Sequence, residues 1–230
     1  MSTILAIDTS AIASAAILRD GEGAAEVLAR FATEDTRSHA EVTAPAVARL
    51  LRESGVNGSG LDAIVVGVGP GPFTGLRAGL AVARTLGFAW GLPVHGIMSL
   101  DSIAAEAVAH DAPGRFVAAT DARRKEVYWA LYANDAGTPR LLDGPHVQRP
   151  AEVPLSDLLG TGAVVYGAGA GLYPEELPPA EGFARTQPDA VALGTLALAR
   201  LARGEELLDT EPLYLRESDA QVPGPRKKAL

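Results

Sequence analysis

Thr3-Ile4-Leu5-Ala6-Ile7-Asp8-Thr9-Ser10 is an apolar run that stops on an aspartate and two hydroxyl residues. Its length and composition predict a buried strand. A second strand over residues 12–18 follows almost at once, then a turn at Asp20-Gly21-Glu22-Gly23, then a third strand over residues 24–31, so the chain opens on an antiparallel meander. From Ser38 the apolar spacing changes to that of a helix, with Val42, Ala46 and Leu50 on one stripe and Val47 and Leu51 beside it. Residues 55–60 end that helix. A strand over residues 61–68, a helix over 76–90, a short strand over 93–97 and a helix from Ser99 to Val108 complete the order βββαβαβα.

After Pro113 and Gly114 the same grammar restarts. Strands are expected over 115–120, 126–132 and 141–147, a helix near 152–159, a strand over 163–166 and a helix near 189–203. Asp8 and Asp121 each close the first strand of their half, an offset of about 113 residues that is too long for a solenoid repeat. The pattern therefore predicts an α/β protein of two similar lobes, residues 1–110 and 111–216. The tail, residues 217–230, is expected to be disordered.

A chain of 230 residues, 47% hydrophobic and 21% charged, is that of an ordinary globular protein. The opening residues have no basic stretch followed by an apolar one, and no apolar run approaches membrane-spanning length, so a soluble, cytoplasmic protein with no membrane contact is expected. Cysteine is absent, which excludes disulfides, thiolate zinc and a cysteine nucleophile. The histidines, His39, His95, His110 and His146, include no pair spaced to share a helix face, so no local metal site is expected. Twenty-eight acidic residues against twenty basic ones give a net charge of −8, which disfavours tRNA binding by the chain alone. The basic runs Arg123-Arg124-Lys125 and Arg226-Lys227-Lys228 are expected as solvated surface.

Four segments carry chemical information. Asp8-Thr9-Ser10, with Asp121 in the second lobe, either caps turns or faces a shared cleft where it meets phosphate or a metal-bound nucleotide. Gly69-Pro-Gly-Pro-Phe-Thr-Gly-Leu-Arg77 matches no phosphate-loop pattern, and reads as a stiff turn, with Thr74 able to cap the next helix, or as an anion or partner contact. Gly75, Gly79, Ala83 and Gly87, beside Leu76 and Leu80, form a small-residue stripe where another backbone approaches closely, from the protein itself or from a second subunit. His39, at a helix start, reads as a surface or capping residue. Gly167-Ala-Gly-Ala-Gly171 permits either a tight turn or close approach to a ligand.

Together, Ile4-Leu-Ala-Ile-Asp8-Thr-Ser10, Gly69-Pro-Gly-Pro-Phe-Thr-Gly-Leu-Arg77, Asp121-Ala-Arg-Arg-Lys-Glu-Val-Tyr128 and Pro212-Leu-Tyr-Leu-Arg216 resemble the TsaB (YeaZ) family over nearly the whole chain. The resemblance implies an actin-like, sugar-kinase-like duplicated fold. It also implies a non-catalytic scaffold for a TsaD-like catalytic subunit, which, with a TsaE-like ATPase, places threonylcarbamoyl on the N6 of the adenosine beside the tRNA anticodon. On that footing tRNA is met only through the complex, ATP is used by the complex and no cofactor is held tightly by this chain. The lone chain is expected to pair with itself.

The family's interface, carried onto this sequence, falls on the two first-lobe helices: His39, Val42, Ala46, Leu50, Gly75, Leu76, Gly79, Leu80, Ala83 and Gly87. Asp8, Thr9, Ser10 and Asp121 become a vestigial nucleotide site, with no catalytic residue. Two departures are Pro72, where many relatives carry serine, and Thr43, which breaks the catalytic relative's histidine pair. The enzymatic alternatives are an actin-like ATPase or phosphotransferase using Asp8 and Asp121, and a metallopeptidase.

Overall fold

The computed structural model describes residues 2–21, 23–34 and 39–216; the expectations for Ser38 and for residues 217–230 lie outside the described residues. The first lobe holds β1 (Thr3–Asp8), β2 (Ser14–Arg19), β3 (Glu26–Ala32), α1 (His39–Ser54), β4 (Ala63–Gly67), α2 (Phe73–Trp90), β5 (Val94–Ile97) and α3 (Ser99–Ala109). The second holds β6 (Arg115–Asp121), β7 (Val127–Asp135), β8 (Thr138–Gln148), α4 (Leu155–Leu159), β9 (Val165–Tyr166), α5 (Ala168–Leu172) and α6 (Ala190–Ala202). The sheets run β3-β2-β1-β4-β5 and β8-β7-β6-β9. In both, the first strand pairs antiparallel with the second and parallel with the fourth. The duplication expected from Asp8 and Asp121 is thus the duplication of the fold, an α/β architecture of two similarly ordered sheets.

β1 is buried along its whole length because helices cover both faces of its sheet. Leu5, Ile7, Ile64 and Val66 point to one side, against Val47 and Leu50 of α1 and Leu76 and Leu80 of α2. Ile4, Ala6, Ala16 and Val65 point to the other, against Leu193, Leu196 and Ala197 of α6. Each large side chain so buried contributes roughly 2 kcal/mol of hydrophobic stabilisation. Gly91 ends α2 in a left-handed conformation at φ 68°, its N–H donating to the Gly87 carbonyl, and this is why the helix stops there.

The lobes are not independent. α6, from the second repeat, packs on the first sheet, while Leu100, Ile103 and Ala104 of α3, from the first repeat, pack against Phe116, Ala118 and Tyr132 of the second. Each repeat hands its last helix to the other. The two helices meet at Asp101, whose carboxylate pairs with Arg200 at 2.8 Å and accepts a hydrogen bond from the Tyr132 hydroxyl at 2.8 Å. A cut at residue 110 therefore separates the sheets but divides the packing. The segment after α6 also returns to the first lobe: Leu208 bridges Gly96, the Leu213 N–H donates to the Val68 carbonyl at 2.8 Å and Tyr214 lies on Phe73 with ring centroids 4.3 Å apart.

The second lobe is pared down. The counterpart of the 16-residue α1 is the 5-residue α4 with a short turn before it, and the counterpart of the 18-residue α2 is the 5-residue α5. The glycine segment, residues 167–171, read as a tight turn or a close approach to a ligand, instead supplies the cap, Gly167, and most of α5. Gly167 and Gly169 lie where a Cβ would meet the backbone of Ala119 at 2.3 and 2.9 Å.

Candidate functional site

Asp8, Thr9 and Ser10 end β1 at the junction of the lobes, but their functional groups turn inward. Asp8 is fully buried. One carboxylate oxygen accepts from the Ser10 N–H at 2.8 Å and the Ser10 hydroxyl at 2.7 Å, and the other accepts from the Ser99 hydroxyl at 2.6 Å. Burial raises its pKa above the usual carboxylate value, and the hydrogen bonds from Ser99 and Ser10 work against that rise. Gly67 is required beneath it, since a Cβ there would lie 1.8 Å from the carboxylate. Of the two readings of Asp8, a cap at the strand end or a group facing the cleft, the geometry fits the first: its partners lie within the chain, Ser10 just after the strand and Ser99 from α3.

Thr9 explains the glycine stripe. Its hydroxyl donates to the Gly75 carbonyl at 2.7 Å and accepts from the Gly79 N–H at 3.1 Å, joining two groups one helical turn apart. A Cβ on Gly79 would sit 2.3 Å from that hydroxyl, and one on Gly87 would sit 2.2 Å from Val94. The stripe faces the protein's own sheet. Ala46, Leu50, Leu76, Leu80 and Ala83 are buried in the same core, and only Val42 is half-buried. These side chains do not form the outer surface, so the expectation that they themselves meet a partner is corrected: they pack inside the chain's own first lobe. His39 is likewise buried, its Nε2–H donating to the Ala11 carbonyl at 3.0 Å, while the Thr43 hydroxyl donates to the His39 carbonyl at 2.6 Å. Thr74 does not cap α2, because the helix starts one residue earlier with Pro72 at the cap position.

The outward residues of α1 and α2 combine charged side chains, Glu41, Arg49, Arg52 and Glu53 on α1 and Arg77 and Arg84 on α2, with small ones, among them Ala44, Pro45 and Ala48 on α1 and Ala81, Thr85 and Ala89 on α2. Phe88 stands out from them at 92% exposure. Sequence reasoning passed over Phe88, although its position one step off the buried glycine stripe marks it as outward-facing.

Between the lobes lies an open cleft of about 1000 Å³, with Ser10, Glu106, Asp121, Arg123 and Asp189 among its walls. Asp121 is already engaged, pairing with the Arg123 guanidinium at 3.0 Å and accepting from the Arg123 N–H at 2.7 Å. Burial, with Asp189 nearby, pushes the Glu106 pKa up from 4.5 to about 6. Asp189 itself accepts from the Val191 N–H as the cap of α6. Among the described residues no three carboxylate or imidazole groups gather to hold a metal.

Beside the cleft, the β6–β7 turn places Arg123, Arg124 and Lys125 at φ 61°, 54° and 62°. Left-handed backbone costs a residue bearing a Cβ about 1 kcal/mol. The turn borders a second pocket of about 200 Å³ shared with Phe73, Tyr128, Tyr214 and Arg216.

The family model described as TsaD: tRNA N6-adenosine threonylcarbamoyltransferase matches residues 26–162. A protein of Mycobacterium tuberculosis (strain ATCC 25618 / H37Rv) is 40% identical over 223 residues, 96% of this chain and 95% of that protein. The solved structure of YeaZ from Pseudomonas aeruginosa is 36% identical with a TM-score of 0.77, covering 94% of this chain and 100% of that one. The chain belongs to the TsaB (YeaZ) family. The Escherichia coli (strain K12) tRNA threonylcarbamoyladenosine biosynthesis protein TsaB is 39% identical over 133 residues, 57% of this chain and 55% of that protein. Within this TsaB-family chain the four resembling segments converge. Gly71 lies against the Ser10 backbone, Phe73 packs on Tyr214, and Arg216 pairs with Glu126 of the Asp121–Tyr128 segment.

Proposed function

We propose that this chain is a non-catalytic scaffold and activator in the synthesis of N6-threonylcarbamoyladenosine on tRNA, docking on a TsaD-like catalytic subunit through the outward faces of α1 and α2. The observation that carries the docking role is Phe88, a fully presented aromatic on a helix whose other outward apolar residues are small. A lone aromatic on such a surface is the type of anchor that dominates binding energy once it enters a pocket. The flanking alanines let two helix surfaces approach closely. In the absence of the catalytic subunit the same face pairs two copies of this chain.

The non-catalytic part of the reading is supported by Asp8, Thr9 and Ser10, whose polar groups are spent on the chain's own backbone and side chains. Asp121 is spent on Arg123. An ATPase or phosphotransferase of this fold needs such groups turned toward phosphates and metal. In the proposed assembly ATP is consumed by a TsaE-like partner, and the work takes place in the cytoplasm, where tRNA is modified. Among the described residues no helix is long and apolar enough to cross a membrane.

The test is tRNA threonylcarbamoylation reconstituted from a TsaD-like subunit, a TsaE-like ATPase and the threonylcarbamoyl-adenylate supply, with and without this chain. Dependence of the yield on the chain is the expected result. Equal yield without it would sink the scaffold reading and bring the ATPase alternative forward, to be checked by ATP binding to the isolated chain.

A further inference from the structure

The chain after α6 returns past β5 and α2 as a strap. Backbone bonds seat it: Gly96 and Leu208 exchange N–H···O bonds at 2.7 and 3.1 Å, and the Leu213 N–H reaches the Val68 carbonyl at 2.8 Å. Gly96 makes room for the crossing, since a Cβ there would lie 2.0 Å from the Asp209 carbonyl oxygen. Between these anchor points Thr210 grips Arg84 of α2. The Arg84 Nε–H donates to the Thr210 hydroxyl at 2.8 Å, and its Nη2 donates to the Thr210 carbonyl at 2.6 Å.

Both acceptors are neutral, so the grip fixes the guanidinium without neutralising it. Among the described residues no carboxylate pairs with Arg84. Asp209 and Glu211 flank Thr210, but Asp209 accepts from the Glu211 N–H at 2.9 Å rather than from the arginine. A guanidinium has five N–H donors in a planar fork, of which the strap takes two. Arg84 itself is exposed, and it stands one helical turn before Phe88, so the two lie side by side on the outer face of α2. A presented aromatic beside a held cation without a counter-charge defines what fits it: an apolar pocket with a carboxylate at its rim. A carboxylate makes a stronger bond to arginine than a neutral oxygen does. Holding a rotamer-rich side chain in place before docking also removes part of the entropy lost on binding.

We propose that Arg84, positioned by Thr210 of the strap, is a specificity-determining contact of the docking face, pairing with a carboxylate that the catalytic subunit presents beside the pocket for Phe88. The proposal rests on the docking reading above and names the polar half of that contact. It gives the strap a task as well: Thr210 is a positioning residue, acting on the partner only through Arg84.

The test measures the affinity of the full chain for the catalytic subunit by isothermal titration calorimetry at low and high salt, with Tm as the check on folding. Arg84→Gln is expected to dock about tenfold more weakly at low salt and to lose most of the salt dependence of the parent. Arg84→Lys, which keeps the charge but not the fork, falls between the two. Thr210→Val removes the hydroxyl at nearly constant shape and is expected to weaken docking about threefold. In a chain already carrying Arg84→Gln it has no further effect, whereas a strap with a merely structural role would give additive losses. Thr210→Ser restores the parent affinity.

Equal affinity and equal salt response in the parent and Arg84→Gln would overturn the proposal. Phe88→Ser in the same assay separates the two readings. If it weakens docking while Arg84→Gln does not, the docking face stands without its polar contact; if neither variant changes the affinity, both readings fall. A loss in Arg84→Gln that is the same at low and high salt would show packing rather than charge, and would also overturn the pairing with a carboxylate. A labelled tRNA transcript is the second probe: binding to the isolated chain that Arg84→Gln abolishes, with docking unaffected, would assign the cation to RNA instead.

Discussion

Glu106 shows how the cleft acts on a single group. Its carboxyl is partly buried beside Asp189, and both effects hold its proton more tightly in the folded chain, moving its pKa from 4.5 to about 6. Between those values the folded state binds more protons than the unfolded chain, so stability falls as pH rises through that window. Glu106→Gln removes the charge responsible for this decline. After discounting for its partial exposure, the variant is expected to exceed the parent in stability by on the order of 1 kcal/mol at neutral pH, and to match it below about pH 4. Urea unfolding at the two pH values measures this; parallel curves at both would show that the cleft does not hold the proton. Asp8, by contrast, was readable as a strand end but not as an internal carboxylate, because Ser99, which fills one of its oxygens, comes from α3, far along the chain.

Among the elements, α2 has two faces with opposite predicted responses. Gly79→Leu drives a side chain into Thr9, and it is expected to destabilise the fold by about 3 kcal/mol through overpacking, read as a lowered Tm. Phe88→Ser, on the outer face, should leave Tm within about 2 °C and weaken association with the catalytic subunit at least tenfold. Analytical ultracentrifugation or pull-down decides the second point, and association indifferent to Phe88 would remove this face from the interface. The four-residue spacing of glycine and alanine made the stripe visible in the sequence. What it packs against depends on Thr9 at the end of β1, and Thr9 and Gly79 are separated by 70 positions, a pairing that helical spacing cannot report.

At the scale of the whole molecule, the exchange of α3 and α6 packs each lobe against a helix of the other, and the two are expected to unfold as one cooperative unit. Asp101 is the polar point in that exchange, held by Arg200 from α6 and Tyr132 from β7. Asp101→Ala leaves Arg200 and the Tyr132 hydroxyl without their acceptor, and it is expected to cost about 3 kcal/mol. Double substitution of Asp101 and Arg200 by apolar residues should recover much of that stability. Denaturant unfolding followed separately in each lobe, by Trp90 near the first sheet and Trp129 in the second, is expected to give coincident transitions for the parent. Separate transitions would show that the lobes unfold independently despite the helix exchange.

The sequence alone determined the strand and helix order apart from α5, the two-fold repetition marked by Asp8 and Asp121, and membership of the family through four short segments, because these depend on local spacing and turn chemistry. Tertiary structure decided which side of each motif faces inward. It turned Asp8, Thr9 and the glycine stripe into internal packing, left Phe88 outside, carried α6 onto the first sheet and set Arg77 over the rings of Phe73 and Tyr214. The physical reason is that periodicity defines a face of an element, whereas the partner of that face is chosen by chain segments brought together only when the two lobes close on each other.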